Sequence, residues 1–541
     1  IAQAAYLAGL PQRPNAVRTK YAESRQRYVL AAMHAPKTAF AERLHFSSRE
    51  TPVMAQHFVE HLCRTGTPAC PDRQECLSYT IVTTLDSNLQ RDVLGIIAAN
   101  RERLLKHGAH SVAVAVMDNR TGEWLAWEGS GDYFGETFGG AIDGVVTLRQ
   151  PGSTLKPFTY ALAFEEGFTP ATVLPDVPST FPTAEGGIVY EPRNYDGRYR
   201  GPLRVRAALA GSENVPAVAM LSRVGAPALL RMLRGAGFTD FTKTADYYGL
   251  GLTLGDAEVR LDQLVAAYAT FARGGITITN RRLVSQRTAF WISDILSDRD
   301  AREFVFGSGG SLDFPFRVAV KTGTSQAYRD NWTIGFTRDV TVGVWVGNFD
   351  RSELRNSSGV TGAAPIFHSV MLAAVKRVRG AIPVGDDDPI VEPPSDIERL
   401  PICGVSGARP STYCPLTENE WLPKSAQAQF CSWHHDGYTD WPVEYRQWAR
   451  SNVGQALLPV RTGRSACPTL RVTNPPNGAT YLIDPTLRSD FQMLKLRATN
   501  NASWRVDGQR VSNEWPLRPG EHIVEAIDRD GNHDKVKIWV R

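Results

Sequence analysis

The segment Gln150-Pro151-Gly152-Ser153-Thr154-Leu155-Lys156 places a hydroxyl and an amine three residues apart at a predicted helix start. Residues i and i+3 share one face of a helix, so we expect Ser153 and Lys156 to lie side by side. Pro151 and Gly152 favour a turn into the helix, which puts Ser153 near free backbone N–H groups that favour developing negative charge. This position suits a nucleophile. Ser-x-x-Lys is a weak pattern on its own, because most instances are solvated residues on an exposed helix.

Two further motifs follow in order along the chain. Ser212-Glu213-Asn214 is the first, and Lys321-Thr322-Gly323-Thr324 is the second, at the end of an alternating run that predicts a strand. Taken singly, the first motif is equally a helix cap and the second a strand end with a turn glycine. Together with Ser-x-x-Lys, in this order, they are typical of serine β-lactamases and penicillin-binding proteins.

The resemblance to penicillin-binding transpeptidase domains extends over residues 85 to 370. The segments that resemble this family beyond the three motifs are Thr83–Gln90, the hairpin Val112–Trp127 with its turn at Asn119–Gly122, Arg193–Asp196, Tyr268–Gly275, Asp330–Phe336 and Val344–Gly347. The family's fold, a five-stranded antiparallel sheet with helices on both faces, is therefore the fold expected here.

The N-terminal residues carry a second resemblance. Ala4–Gln12, with Arg25–Met33, is similar to the tail of the peptidoglycan glycosyltransferase domain in bifunctional, class A penicillin-binding proteins, and the C-terminal arrangement looks most like the 1C branch. The resemblance implies a periplasmic location at the inner membrane, through an N-terminal anchor helix that we expect to lie outside this chain. The polymerising carboxylates are likewise expected outside it, so this chain by itself is not expected to polymerise glycans.

A multidomain α+β organisation follows from these features. Short alternating runs separated by turn signals after residue 465 predict a β-sandwich, which we expect to be Ig-like and to serve as a protein-docking or glycan-binding module. The predicted domains are a glycosyltransferase remnant (1–45), a Cys-containing connector (46–80), the transpeptidase domain (81–378), a Pro/Asp-rich linker with a Cys-containing segment (379–464), and the C-terminal sandwich (465–541).

The resemblance implies a serine acyl-transfer mechanism. Ser153 would form the acyl-enzyme, with Lys156 as the base in its neutral form, because burial and the nearby cation Lys321 disfavour a protonated amine. Ser212 would relay a proton to the leaving amine, and Asn214 would hydrogen-bond Lys156 or the substrate amide. The acylation base is disputed even among related enzymes.

The same resemblance places the substrate on the Lys-Thr-Gly strand. This strand is expected at the edge of the sheet, where a stem peptide ending in D-Ala-D-Ala can add by β-augmentation. We expect Lys321 to be an exposed cleft residue that, with Thr322 and Thr324, binds the terminal carboxylate. The missing side chain of Gly323 is expected to let the substrate approach closely. The backbone N–H groups of Ser153 and Thr324 would form the oxyanion hole.

Composition and charge argue against nucleic-acid binding and against a membrane-spanning helix in this chain. The chain has 541 residues, a net charge of +4 and 42% hydrophobic residues, and no basic block supports nucleic-acid binding. No run of 18 consecutive apolar residues is found, so we expect no transmembrane helix or signal peptide here. No cofactor is expected, and β-lactams and peptidoglycan stem peptides are the expected ligands.

Seven cysteines suggest an oxidising compartment. Cys63, Cys70 and Cys76 cluster in one loop, and Cys467 follows the linker. A group whose members are Cys403, Cys414, Cys431 and His434 has the composition of a Cys3His zinc site. Because the spacing lacks a Cys-x-x-Cys pair, disulfides or free thiols are favoured over zinc, and no metal ligand is predicted.

Three other functions share the motifs. A class A β-lactamase would add a Glu-x-x-x-Asn segment for deacylation, and none occurs between residues 156 and 321. A D,D-carboxypeptidase, which uses water as acceptor, remains an alternative. So does a non-catalytic sensor that is acylated by β-lactams without turnover.

Overall fold

The chain folds into two compact units, Ile1–Met54 and Ala55–Arg541. In the computed structural model, the residues described are 20–36, 40, 54–64, 82–182, 189–307, 309–385, 388–426, 429–451, 470–475, 477–481, 493–498, 501–529 and 531–540. The first unit contains helix α1 (Lys20–Ala32), which buries Leu30. Most of the predicted glycosyltransferase remnant and most of the Cys-containing connector lie outside the described residues.

The second unit holds the remaining elements. Its helices are α2 (Gln56–Arg64), α3 (Ser87–Lys106), α4 (Lys156–Glu165), α5 (Val205–Ala210), α6 (Asn214–Val224), α7 (Ala226–Ala236), α8 (Ala245–Tyr248), α9 (Leu261–Ala272), α10 (Gln286–Ser297), α11 (Arg299–Phe306), α12 (Ala364–Arg379) and α13 (Arg446–Ala449). Its strands are β1 (Ser111–Asp118), β2 (Trp124–Glu128), β3 (Val173–Asp176), β4 (Phe181–Pro182), β5 (Val189–Tyr190), β6 (Gly201–Arg204), β7 (Ala319–Thr324), β8 (Asp330–Phe336), β9 (Val340–Gly347), β10 (Ile397–Cys403), β11 (Thr417–Pro423), β12 (His434–His435), β13 (Tyr438–Thr439), β14 (Val472–Asn474), β15 (Thr480–Tyr481), β16 (Met493–Lys495), β17 (Arg497–Ala498), β18 (Ser503–Val506), β19 (Gln509–Val511), β20 (Glu514–Pro516), β21 (Gly520–Ile527) and β22 (His533–Val540).

A five-stranded antiparallel sheet organises the transpeptidase region, in the order β2-β1-β9-β8-β7. Alternate residues of β1 belong to two separate cores, because successive strand side chains point to opposite faces. Ala113 and Ala115 pack with α4 and α9, whereas Val112 and Val114 pack with α3 and α12. The predicted antiparallel sheet with helices on both faces is confirmed, and β7 lies at its edge.

Several helices of this region are apolar enough to lie in its interior. Every residue from Lys156 to Phe164 of α4 is buried, as expected of a helix that is covered on all sides. The helical segment Gly359–Arg379 is long and apolar enough to cross a membrane by length and composition, although 61% of its apolar window is buried inside the protein. Helices α6 and α7 pass the same test only as a pair, with a 97° bend between them. Such burial is typical of core helices.

The segment that follows the transpeptidase region, expected to be a linker, contains ordered hairpins. Strands β10 and β11 pair over seven residues, and β12 pairs with β13. An ion cluster attaches β11 to the helices of the catalytic region: Arg206 of α5 donates to both carboxylate oxygens of Glu420 and also contacts Asp294 and Asp298. The Glu420 side chain has no exposed surface.

The C-terminal region is all β among the described residues. Its five-stranded sheet has the order β15-β22-β21-β18-β19, and two further ladders pair β14 with β17 and β16 with β20. The residues Leu494, Trp504, Trp515, Val524 and Ile538 share one core across these ladders. The predicted alternating runs therefore correspond to strands around a separate core, and an Ig-like topology stays a prediction.

Candidate active site

Ser153 lies in a 3-10 turn, Gly152–Leu155, that continues directly into α4. The Lys156 N–H bonds to the Ser153 carbonyl, so this turn and the helix are joined without a break. Side chains at i and i+3 are eclipsed in a 3-10 turn, which aligns Ser153 with Lys156 more closely than an α-helix does. The predicted helix start is thus a tighter turn followed by the helix.

Two glycines allow this turn to pack on the edge strand. Gly152 has φ +55°, and a Cβ there would lie 2.5 Å from the Thr324 carbonyl oxygen. A Cβ on Gly323 would lie 2.3 Å from the Pro151 carbonyl oxygen and 2.7 Å from Thr154 Cγ2. The missing side chain of Gly323 therefore makes room for the turn that carries Ser153. Close approach of the substrate at Gly323 stays a prediction.

The amine of Lys156 is completely buried and donates to three acceptors. These are the carbonyl oxygens of Ser212 at 2.5 Å and Glu213 at 3.0 Å, and Oδ1 of Asn214 at 2.7 Å. Burial lowers the pKa of Lys156 to about 7, although the carboxyls of Glu213 and Asp176 act in the opposite direction. The protonated amine uses all three of its protons on these acceptors, whereas the neutral amine donates two and gives up one contact, which leaves a lone pair that can act as a base.

The second lysine also lies inside the protein. Lys321 is 2% exposed, so the expectation of an exposed cleft lysine is wrong. Its Nζ donates to Ser212 Oγ at 2.6 Å and to the Thr322 carbonyl at 2.8 Å. Burial and the neighbouring Lys156 hold the pKa of Lys321 well below its usual range.

Ser212 therefore connects the two lysines, through its carbonyl to Lys156 and its hydroxyl to Lys321. Its φ of +61° is a left-handed conformation that costs free energy for a residue with a side chain. Because Ser212 Oγ accepts from Lys321, its own proton is free to be donated. The three sequence motifs are therefore in direct contact, because Lys156 and Lys321 both bind Ser212.

A buried polar network holds the Ser-x-Asn motif in place. Oδ1 of Asn194 accepts from the backbone N–H groups of Asn214 and Val215, which are free because they begin α6. Nδ2 of Asn194 in turn donates to Asp176 at 2.6 Å. The Asn214 side chain is fixed at both ends, since its Nδ2 donates to the Arg193 carbonyl.

Charged groups beneath this network were not predicted. Arg200 pairs with Glu213 at 3.0 Å, and its backbone N–H donates to Asp176. Burial raises the pKa of Asp176 to about 6 and that of Glu213 to about 8. Arg193–Asp196 is part of the family resemblance, but nothing in the sequence indicates that Asp176 is its partner.

The cleft is bordered by β7 and by aromatic side chains from two loops. Thr324 Oγ1 accepts from the Gly359 N–H at 3.1 Å, which leaves its hydroxyl proton for another acceptor. The rings of Tyr195 and Tyr328 meet edge to face, with centroids 6.1 Å apart, and both are exposed. Tyr195 follows Asn194 and Tyr328 follows the Lys-Thr-Gly strand, so this ring contact joins two segments that carry predicted site residues or their partners.

The described cysteines lie apart from these motifs. Cys403, Cys414 and Cys431 are free thiols that converge on His434. Cys70, Cys76 and Cys467 and the Cys63 side chain lie outside the described residues, so their predicted disulfides stay predictions.

Two stretches of the chain match known protein families. Residues 112–372 match the penicillin-binding protein transpeptidase domain, and residues 460–538 match the penicillin-binding protein C-terminus family. Penicillin-binding protein 1C of Escherichia coli (strain K12) is 31% identical over 421 residues, which cover 75% of this chain and 52% of that protein. The chain belongs to the class A penicillin-binding proteins. It contains the transpeptidase domain that this family model describes.

Other relatives share this domain. Penicillin-binding protein 1A of Neisseria gonorrhoeae is 29% identical over 50% of this chain and 36% of its own length. The crystal structure of penicillin-binding protein 1A from Haemophilus influenzae superposes with a TM-score of 0.56 at 17% identity, over 79% of this chain and 86% of that one, and so supports the fold. The chain spans about half the length, or less, of the curated relatives described here.

Proposed function

We propose that Ser153 of this chain is acylated by peptidoglycan stem peptides ending in D-Ala-D-Ala and passes the acyl group to an acceptor amine. The observation that carries the proposal is the pair of buried lysines bridged by Ser212, next to the turn of Ser153. Burying two lysine side chains in one site costs free energy, because each amine loses its hydration. Such a pair is therefore more typical of a functional site than of a structural one.

Acylation starts from the neutral form of Lys156. The Ser153 hydroxyl gives its proton to this amine as Oγ bonds to the carbonyl carbon of the penultimate D-Ala. The bond from that carbon to the terminal D-Ala nitrogen then breaks, and Ser212 donates its proton to the leaving amine. Lys321, bonded to Ser212 Oγ, restores the proton to Ser212. Attack by an acceptor amine on the ester reverses these proton transfers and releases Ser153.

Substrate recognition is assigned to the outer edge of β7. An extended peptide can add there through backbone hydrogen bonds, because β7 pairs with β8 on one side only. The terminal carboxylate would be held by the positive potential of Lys321 and by the hydroxyls of Thr322 and Thr324. The N–H groups of Ser153 and Thr324 would stabilise the oxyanion. In support, a Cβ on Gly152 would come within 2.9 Å of the Thr324 nitrogen, so the two segments are in contact.

The whole protein is proposed to be a bifunctional cell-wall synthase. The resemblance of residues 1–45 to a glycosyltransferase tail supports glycan polymerisation by the full-length protein, from the periplasmic face of the inner membrane. The match of residues 460–538 to the penicillin-binding protein C-terminus family supports a separate C-terminal module. Docking of a protein or glycan by this module is part of the proposal.

The test uses a synthetic stem pentapeptide ending in D-Ala-D-Ala, with and without a D-amino acid as acceptor. We expect D-Ala release together with the exchanged peptide, and loss of both with Ser153→Ala. D-Ala release without exchange at saturating acceptor would assign a carboxypeptidase. Acylation by penicillin without either product would assign a sensor. Both results would contradict the proposed transfer.

A further inference from the structure

Four metal-binding side chains from separate parts of the post-transpeptidase segment meet in one place. They are Cys403 at the end of β10, Cys414 and Cys431 in loops, and His434 in β12. Their potential ligand atoms all lie within 4.8 Å of one another. Cys403, Cys431 and His434 are buried, at 0%, 6% and 4% exposure. No other group of this kind is found in the part of the chain that the structure describes.

The distances fit a tetrahedral ion better than thiols in mutual contact. Zinc bonds of about 2.3 Å to sulfur and about 2.0 Å to nitrogen separate neighbouring ligands by about 3.5 to 3.8 Å in a tetrahedron. Nδ1 of His434 lies 3.5 Å from Cys403 Sγ and 3.2 Å from Cys431 Sγ. The three sulfurs are not joined in a disulfide. One disulfide among three thiols would also leave the third thiol and the imidazole buried beside it.

The turns around the cluster direct donors at the sulfurs. The Ser406 N–H points to Cys403 Sγ at 3.4 Å, and the Ser411 N–H points to Cys414 Sγ at 3.2 Å. Ser406 Oγ contacts Cys431 Sγ at 3.1 Å. Such outer donors orient and stabilise thiolate ligands at metal sites. This polar lining belongs to a site that carries negative charge.

We propose that Cys403, Cys414, Cys431 and His434 bind one Zn²⁺ ion. Four protein ligands complete the tetrahedron, so the site is structural and leaves no position for a catalytic water. Three thiolates and an imidazole select zinc over calcium or magnesium, which prefer oxygen ligands.

The bound ion fixes a part of the chain that packs against the strand pair β3 and β6. Trp433 and Trp441 pack beside the cluster, and Trp441 also meets Trp448 edge to face. Trp448 lies directly over Gly201 of β6 and donates to the Tyr199 carbonyl. Strand β6 pairs with β3, which carries Asp176 of the network under the Ser-x-Asn motif. Zinc is therefore connected to the active site through packing, without contact with substrate.

The site is tested by measuring zinc in the purified chain with inductively coupled plasma mass spectrometry. We expect about one zinc per chain. His434→Asn and Cys414→Ser should lose most of it. The matched control is His435→Asn, because the neighbouring His435 stacks on Tyr438 outside the cluster and should keep full zinc.

Two measurements on the unmodified chain keep the test independent of variant folding. Titrating the thiols with a mercurial should release zinc in step with modification, and growth with cobalt should give the intense visible absorption of a tetrahedral thiolate site. A chelator should lower the melting temperature, and added zinc should restore it. Metal-free protein with Cys403, Cys414 and Cys431 reduced would overturn the proposal. So would a disulfide between any two of them, mapped under non-reducing conditions.

Discussion

Replacing Gly323 by alanine tests whether the Lys-Thr-Gly strand positions the nucleophile. The added Cβ would lie 2.3 Å from the Pro151 carbonyl oxygen, about 1 Å closer than an ordinary contact of about 3.4 Å. Thr154 Cγ2, at 2.7 Å, blocks the alternative of a small tilt. Both contacts belong to the turn of Ser153, so this turn must move by about 1 Å. A displacement of that size at a reacting group can cost about 100-fold in rate.

The assay follows acylation by a fluorescent penicillin over a range of concentrations. We expect the first-order acylation rate constant of Gly323→Ala to fall by about 100-fold, while the dissociation constant of the initial complex changes little. Unfolding free energy should fall by about 1–3 kcal/mol, the usual cost of an overpacked site.

Gly95→Ala is the matched control. Gly95 lies in α3, and a Cβ there meets nothing within 4 Å, so acylation should be unchanged and stability should rise by up to about 1 kcal/mol. An acylation rate constant of Gly323→Ala within threefold of wild type would show that Gly323 does not position the turn of Ser153. A raised dissociation constant with an unchanged rate constant would instead return Gly323 to a role in substrate approach.

Three further predictions concern protonation, burial and domain independence. Only neutral Lys156 can act as a base, and its pKa is lowered to about 7. Acylation should therefore be fast above pH 7, and its rate should fall about tenfold for each pH unit below 7. A flat rate profile between pH 5.5 and 9 would contradict this role. Arg206→Ala leaves the Glu420 carboxylate buried without its main partner, so urea unfolding should report a loss of about 3–5 kcal/mol. The control Arg329→Ala, which removes a pair with Glu353 whose two side chains are 49% and 62% exposed, should cost about 1 kcal/mol or less. Equal losses would show that burial of the pair is unimportant. Truncation after residue 465 should leave penicillin acylation and the melting of the catalytic region nearly unchanged, because the C-terminal strands have their own core; lost acylation in a folded truncation would show that this region shapes the cleft.

The sequence predicts the local parts of the site well. The spacing of Ser153 and Lys156 and the alternation before Lys321 each depend on neighbours in the chain, and the structure has a helical turn and an edge strand at these places. The order of the motifs supports the family resemblance, and that resemblance predicts the rest of the sheet. These features follow from backbone periodicity and turn chemistry, which short segments encode.

Contacts between distant segments were not predictable in the same way. The contact of Gly323 with the turn of Ser153 is not predictable, because sequence does not show which face of β7 receives that turn. Lysine is usually exposed, and the sequence does not show that the Lys321 amine meets Ser212, which is 109 residues away in the chain. Asp176 has no local signal. The convergence of Cys403 and His434 depends on two hairpins whose pairing the spacing does not reveal.

The central claim is that Ser153 is the residue acylated in the cleft. The most direct measurement is tandem mass spectrometry of a proteolytic digest after reaction with penicillin. We expect one penicilloyl adduct per chain, on Ser153 in the peptide that contains Gly152 and Thr154, and none in Ser153→Ala. An adduct on any other residue, or an unchanged adduct in the Ser153→Ala protein, would contradict it.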